Sequence, residues 1–136
     1  MRRMHARRRA VAAVELAVLL PFLAFLFVIA LDWARIFYYS ETVANCARNG
    51  ALYGSDPYSS YKSPYTSVTQ AALADASNLS PAPTVTSTSG SDSNGSYVEV
   101  TVSYPFQTVT NFPGVPASTN VVRTVRMNIA PDLPNF

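Results

Sequence analysis

The stretch VAAVELAVLLPFLAFLFVIAL, residues 11–31, decides the fold of this 136-residue chain. From Leu16 to Leu31 it contains no charged residue, and Asp32 closes it. As an α-helix, a segment of this length would extend roughly 31 Å, about the hydrocarbon thickness of a bilayer. The sequence therefore predicts a transmembrane helix over residues 11–31 with the lipid bilayer as its surroundings.

The positive charge of the chain is concentrated before this helix. Five arginines lie in the first nine positions, whereas the residues after position 10 carry five basic and eight acidic side chains. Residues 1–10 are thus a basic leader, and the positive-inside rule places the N-terminus in the cytoplasm and the rest outside. We expect a single-pass protein of the cytoplasmic (inner) membrane. The later basic residues form no run, so we expect no nucleic-acid partner.

Two residues are unusual for a plain anchor. An unpaired carboxylate at Glu15 would cost roughly 2–3 kcal/mol if it lay deep in the bilayer, and Pro21 removes one helical hydrogen bond. Taken singly, Glu15 can rest among headgroups and Pro21 can be a tolerated kink. Basic residues followed by the small Ala10, four uncharged residues, a glutamate and an apolar run are together typical of prepilin-type (class III) signals. Cleavage after Ala10 would free a charged amine on Val11, which Glu15 of a neighbouring subunit could neutralise.

An ordinary secretory signal is the competing interpretation of the N-terminus. Val28-Ile29-Ala30 has small residues at the spacing that signal peptidase accepts, and cleavage there would release a product beginning at Leu31. Pro21 in the middle of the apolar core and Glu15 at its start make this alternative less favourable.

The helix is predicted to continue past the membrane, from about residue 8 to residue 53, with residues 32–54 as an extracytoplasmic extension. Gly54 would cap it and Pro57 would stop it, while Pro21 and Gly50 are its weak points. One helical face is predicted from steps of three and four residues: Trp33, Phe37, Ser40, Ala44, Ala47 and Ala51. Four aromatic residues suit the interfacial belt of a membrane protein: Trp33, Phe37, Tyr38 and Tyr39.

Residues 55–136 are predicted to form a small extracytoplasmic α+β domain. Its segments are a loop over residues 54–65, a short helix over Val68–Ser77 capped by Thr66 or Ser67, a turn over residues 89–95, and strands over Thr84–Thr88, Tyr97–Tyr104 and Val121–Ile129. Strict alternation supports the second strand, whereas Arg123 interrupts the apolar face of the third. The predicted fold class is α+β: a long N-terminal transmembrane helix, then a small antiparallel sheet with a short helix.

The sequence contains no recognisable catalytic or metal-binding motif. Its only histidine is His5, so no histidine base remains for a nucleophile. The single Cys46 is expected to pack on a helix face, with an intermolecular disulfide as the alternative. The run from Asp92 to Gly95 resembles part of a calcium loop but lacks the later ligands, so we interpret it as a turn. We predict no cofactor, no metal and no enzyme activity.

Four tyrosines fall in predicted loops or on the outer strand face: Tyr58, Tyr61, Tyr65 and Tyr97. They are expected either to pack locally or to form an adhesive or subunit-contact surface.

Residues 8–55 resemble the TadE-like proteins of the tight-adherence (Flp-type) pilus system. The segments that carry the resemblance are Arg8-Arg9-Ala10, Ala13-Val14-Glu15-Leu16-Ala17, Leu20-Pro21, Asp32-Trp33-Ala34-Arg35 and Ala44-Asn45-Cys46-Ala47-Arg48-Asn49-Gly50-Ala51. Three positions depart from the family pattern: Ala10 replaces the usual glycine, Leu16 a phenylalanine and Asn49 a glutamate.

The resemblance implies a non-catalytic pseudopilin or minor pilin that acts in assembly or secretion of a Tad pilus. It implies processing by a prepilin peptidase between Ala10 and Val11, and an assembly role for the Glu15 carboxylate. The partners that it implies are other pilins or pseudopilins and the Tad platform proteins. The alternative function is a membrane-anchored extracytoplasmic binding or adhesion module.

Overall fold

The computed structural model describes residues 2–109 and 116–131, with side chains described from residue 11 onward except at position 59. Its elements are three helices, α1 (Arg2–Ser55), α2 (Pro57–Lys62) and α3 (Val68–Leu73), followed by three strands, β1 (Thr84–Asp92), β2 (Gly95–Gln107) and β3 (Ser118–Asn128). A long apolar helix followed by an antiparallel sheet and short helices confirms the predicted α+β class.

Helix α1 is continuous and includes Pro21. It ends at Ser55, whose hydroxyl donates to the carbonyl of Leu52 at 3.1 Å. The prediction that Gly54 caps the helix is wrong, because Gly54 lies within it. A Cβ atom at this position would come within 3.0 Å of Val98 Cγ2. The lack of a side chain at Gly54 therefore lets the sheet approach the helix closely.

The sheet has the order β1-β2-β3 with antiparallel pairs, so β2 is its centre. The alternation predicted for β2 is confirmed by its buried residues, which are Val98, Val100, Val102, Tyr104 and Phe106. The turn predicted over residues 89–95 is shorter in the structure: it is confined to residues 93 and 94, between Asp92 and Gly95. Gly95 has a φ of +113°, a conformation that glycine adopts without strain. Strand β1 extends beyond its predicted end at Thr88 because it pairs with β2 as far as Asp92.

The core lies between the inner face of the sheet and the outer half of α1. The α1 side chains that contribute to it are small or medium-sized and fully buried: Val43, Cys46, Ala47 and Ala51. The helix face predicted from the sequence is therefore only partly correct. Trp33 and Phe37 remain 59% and 63% exposed, because they lie outside the part of α1 that the sheet covers.

Helix α3 begins as predicted and ends earlier. Ser67 is its N-cap, and its hydroxyl accepts from the backbone N–H of Gln70 at 3.2 Å. The Gln70 side-chain oxygen accepts from the Thr66 backbone N–H at 2.9 Å in return, which satisfies a second donor at the helix start. The helix stops at Leu73 rather than near Ser77.

The region predicted as a loop contains helix α2. An Asp56 carboxylate oxygen accepts from the Tyr58 backbone N–H at 3.0 Å, and Pro57 occupies the first helical position, where it needs no donor. The prediction of an irregular loop over this whole segment is wrong, because Asp56 and Pro57 together start a turn of helix.

Gly50 should be intolerant of any larger side chain, because a Cβ atom at this position would meet Ala72 Cβ and Val100 Cγ1 at 3.0 Å each. We expect Gly50→Val to lower the free energy of unfolding by about 1–3 kcal/mol through overpacking. The measurement is thermal unfolding of the full chain in detergent, followed by circular dichroism.

The matched control is Asn45→Val, which places the same β-branched residue on the exposed side of α1. It should change the free energy of unfolding by no more than about 0.5 kcal/mol. Equal melting temperatures for the two variants would contradict the close packing at Gly50.

Candidate functional site

Between Val11 and Phe27, α1 is an apolar helix that the folded domain does not cover. One helix of the described chain is long and apolar enough to cross a membrane, and none of its most apolar stretch is buried in the protein. The large side chains from Val11 to Phe27 are exposed. So large an exposed apolar surface is typical of a membrane contact, and it agrees with the predicted anchor.

The predicted processing and assembly residues lie at the start of this apolar helix. Ala10 and Val11 are both helical, Val11 is 58% exposed, and Glu15 is exposed. Val11 and Glu15 are four residues apart and therefore share one face of α1. No described side chain pairs with Glu15. The arrangement leaves the carboxylate open to a neighbouring molecule, while the processing and assembly roles stay predictions.

A polar junction connects the end of the apolar helix to the base of the sheet. Asp32 is only 7% exposed, and its Oδ1 accepts from the Arg35 guanidinium at 3.2 Å and from the Val109 backbone N–H at 3.0 Å. The Arg35 guanidinium lies 5.1 Å from the centre of the Phe106 ring. Asp32 and Arg35 thus hold the membrane-proximal end of β2 against α1.

Aromatic residues surround this junction, but they do not all face outward. Trp33 and Phe37 are exposed, with their ring centres 6.0 Å apart, as the interfacial belt requires. Tyr39 was predicted to join the belt and instead packs inward, with its ring centre 5.3 Å from that of Tyr104. It is half-buried and belongs with the core, because it lies on the side of α1 that the sheet covers.

Arg123, which interrupts the apolar face predicted for β3, has a polar partner on α1. It pairs with Val102 in the register of the sheet, so it does point to the helix side. Its guanidinium donates to the hydroxyl of Ser40, a largely buried residue of α1. The sheet is therefore joined to α1 by a hydrogen bond at a position where the apolar pattern of β3 is broken.

Of the four tyrosines, three are exposed beyond the far end of α1 (Tyr58, Tyr61 and Tyr65), and the half-buried Tyr97 lies on the outer face of the sheet. The Lys62 ammonium nitrogen lies 4.4 Å from the centre of the Tyr58 ring and donates a hydrogen bond to the Tyr58 hydroxyl. The guanidinium carbon of Arg126 lies 3.4 Å from the centre of the Tyr97 ring. Local packing thus accounts for two of the four tyrosines, whereas Tyr61 remains 89% exposed.

Cys46 is fully buried in the core, as expected for a packed helix residue. Burial raises the pKa of its thiol above the ordinary value, and the charge of Asp75 raises it further. The thiol is therefore protonated and inaccessible at neutral pH, so the structure does not support the alternative of an intermolecular disulfide.

Sequence reasoning missed the contact between Asp32 and the backbone of residue 109. The local signal was present, since Asp32 and Arg35 follow the apolar run at helical spacing. The partner, Val109 just after β2, carried no signal, because the hydrogen bond joins positions 77 residues apart through a backbone N–H group.

The model of the TadE-like protein family matches residues 10–52 of this chain, which confirms the resemblance over that segment. The match covers most of α1, including Glu15, Pro21 and the junction residues Asp32 and Arg35. The α2, α3 and sheet region lies outside it. No curated protein and no solved structure matches the chain. The matched segment lies on the helix that is long and apolar enough to cross a membrane, which supports a membrane-anchored protein.

Removing the Asp32 acceptor should loosen the base of the sheet. Asp32→Ala leaves the Val109 N–H and the Arg35 guanidinium without this partner, which should cost about 1–3 kcal/mol of unfolding free energy. Asp32→Asn keeps a side-chain oxygen for Val109 and should retain more stability. The measurement is thermal unfolding of the full chain in detergent, together with proteolysis between residues 108 and 118.

Glu99→Ala is the control, since it removes a carboxylate with no described partner from the outer face of the sheet. Its melting temperature should stay near that of the unchanged chain. An Asp32→Ala protein as stable as Glu99→Ala would show that the junction does not hold the sheet.

Proposed function

We propose that this chain, TadE-like over residues 10–52, is a membrane-anchored, non-catalytic pseudopilin or minor pilin of a Tad (Flp-type) pilus. It would act in assembly or secretion of the pilus together with other pilins or pseudopilins and Tad platform proteins. The observation that carries the proposal is the family match on α1. From Val11 to Phe27 this helix is apolar and exposed, Glu15 has no partner among the described side chains, and the folded domain covers only the outer half of the helix.

The proposed organisation has four parts: residues 1–10 are a basic leader, residues 11–31 span the bilayer, residues 32–54 extend the helix outside, and residues 55–136 form the extracytoplasmic domain. The arginines of the leader support a cytoplasmic N-terminus. The beginning of protein contacts near Ile29 and Asp32 supports a membrane boundary close to residue 31.

The proposed mechanism uses the two ends of one helix for different tasks. A prepilin peptidase would cut between Ala10 and Val11, which leaves a charged amine at the cytoplasmic edge of the bilayer. The Glu15 carboxylate of an adjacent subunit would neutralise this amine, and the pairing of two charges that are costly alone would favour assembly within the membrane. The outer domain would then be carried at a fixed distance from the bilayer.

The alternative, a membrane-anchored binding or adhesion module, is favoured by the highly exposed Tyr61 beyond the far end of α1. Such a module needs the anchor but has no use for a carboxylate in the membrane segment. The two functions therefore differ in their dependence on Glu15.

Replacing Glu15 should separate these functions. Glu15→Ala should still insert into the membrane, since alanine is apolar and favours helix, but it should abolish or strongly reduce filaments in the host. The measurement is a count of pili by electron microscopy, with the membrane level of the protein checked by immunoblot. Glu99→Ala, which lacks a carboxylate far from the membrane, should assemble normally.

Filament numbers that are unchanged in Glu15→Ala would contradict the assembly role and favour the adhesion module. Loss of filaments in both variants would show a general defect rather than a specific need for Glu15.

The N-terminus of the mature protein tests the processing site. In host cells with active prepilin peptidase, mass spectrometry of the intact protein should show a chain that begins at Val11. In cells without the peptidase the chain should retain the leader up to Ala10, and Ala10→Gly should restore the usual family residue without moving the cut.

An uncut chain in peptidase-positive cells would refute cleavage, and a soluble product that begins at Leu31 would identify a secretory signal instead.

A further inference from the structure

Outside the proposed membrane span, α1 has a covered face and an uncovered one. The sheet and α3 cover the side that includes Val43, Ala47 and Ala51. The opposite side, called here the open face, consists of six residues that are all exposed: Trp33, Phe37, Glu41, Asn45, Arg48 and Leu52. Their steps of three and four residues align them in one stripe along the helix.

The open face contains two opposite charges that the chain itself does not pair. Glu41 and Arg48 are exposed and have no ion pair or hydrogen bond with the part of the chain that the structure describes. They are seven residues apart, whereas helix side chains meet at spacings of three or four. Each charge is therefore available to another molecule on the same side of the helix.

We propose that a second copy of this chain packs against the open face in parallel orientation and is displaced outward along the helix axis. In this arrangement the second copy's Glu41 meets Arg48 of the first. A shift of seven residues corresponds to about 10 Å of helix rise, and the length of both side chains allows a shift somewhat smaller than this. The parallel orientation follows from the proposed function, in which both copies span the membrane in the same sense.

The open face is complementary to itself, which is why the occupant is a second copy. With the same shift, the second copy's Phe37 stands at the height of Ala44 of the first. Ala44 borders the open face and is half-buried, so its small side chain leaves room for an aromatic ring. One displacement thus brings together an opposite charge pair and an aromatic–small pair.

The membrane segment agrees with the direction of this shift. Glu15 precedes Trp33 by five helical turns of about 3.6 residues, so it lies on the same side of α1 as the open face. An outward shift of four residues, or about 6 Å, would bring the second copy's Val11 to the height of Glu15. A single displacement of about 6–10 Å would therefore allow both the Glu41–Arg48 pair and the Val11 amine–Glu15 pair, because the side chains are long enough to span the difference. This step rests on the proposed function, because it requires the amine that processing would free.

The direct test is disulfide trapping in the host membrane, with the full chain expressed as two copies that carry different tags. One copy carries Phe37→Cys and the other Ala44→Cys, so that Glu41 and Arg48 remain in place. After mild oxidation we expect the mixed disulfide to exceed either homotypic disulfide about fivefold, the factor by which an exposed ion pair can bias a register.

The unchanged chain is the background control, since its fully buried Cys46 should form no cross-link. Homotypic disulfides equal to the mixed one would overturn the shifted register. Absence of any cross-link between copies, or trapping of a different pilin in their place, would overturn the second copy as the occupant.

A charge exchange in the same cysteine pair tests the role of Glu41 and Arg48. Glu41→Arg and Arg48→Glu should each reduce the mixed disulfide, because each places like charges opposite one another. The double variant in both copies restores opposite charges and should recover the cross-link to within about twofold. Circular dichroism should show the same folded content in all variants, since both residues are exposed.

A double variant that cross-links no better than the single ones would overturn the charge pair as the register-setting contact. These outcomes are separable from the proposed function. If Glu15→Ala abolishes filaments while the cysteine pair fails to cross-link, the assembly role stands and the second-copy contact is wrong.

Discussion

The close approach between the central strand β2 and the small-residue face of α1 is the constraint on which the rest of the structure depends. The side chains of Val100 and Val98 fill the space beside Gly50 and Gly54, where a Cβ atom on either glycine would come within 3.0 Å of a valine methyl group. Because valines of β2 fill this space, the strand lies directly along the helix. The two edge strands and α3 then have fixed positions on either side. The core therefore combines the larger side chains of β2 with the small side chains of the helix.

Polar contacts secure the membrane-proximal part of this packing. Asp32 joins α1 to Val109, two residues after the end of β2, and Arg123 joins β3 to Ser40. Both contacts involve groups that are half-buried or more on the helix side, where an unsatisfied partner would be costly. They place charged residues at the boundary of the apolar core, so the sheet has a preferred position along the helix as well as a preferred face.

The sequence predicted those elements whose signal is local. Charge-free residues from Leu16 to Leu31 indicated the anchor, and the alternation from Val98 to Tyr104 indicated β2. The sheet-binding face of α1 was harder to predict, because alanine, serine and glycine occur on several sides and only the valines of the sheet decide which side is covered. Helix α2 and the extension of β1 were missed for a related reason: both are polar segments whose structure depends on a backbone partner. Of the candidate site, the family match supports the segment that contains Ala10, Val11 and Glu15, while their roles depend on other molecules.

The continuity of α1 from the apolar segment to Ser55 has a mechanical consequence. A domain attached through a flexible linker would absorb movements of its anchor, whereas here the anchor and one wall of the domain are the same helix. The part of α1 beyond residue 31 is roughly 35 Å long at 1.5 Å per residue, so it acts as a stiff lever. Tilt or rotation of the membrane segment must swing the sheet through a proportionate arc, and a pull on the sheet must load the helix along its axis.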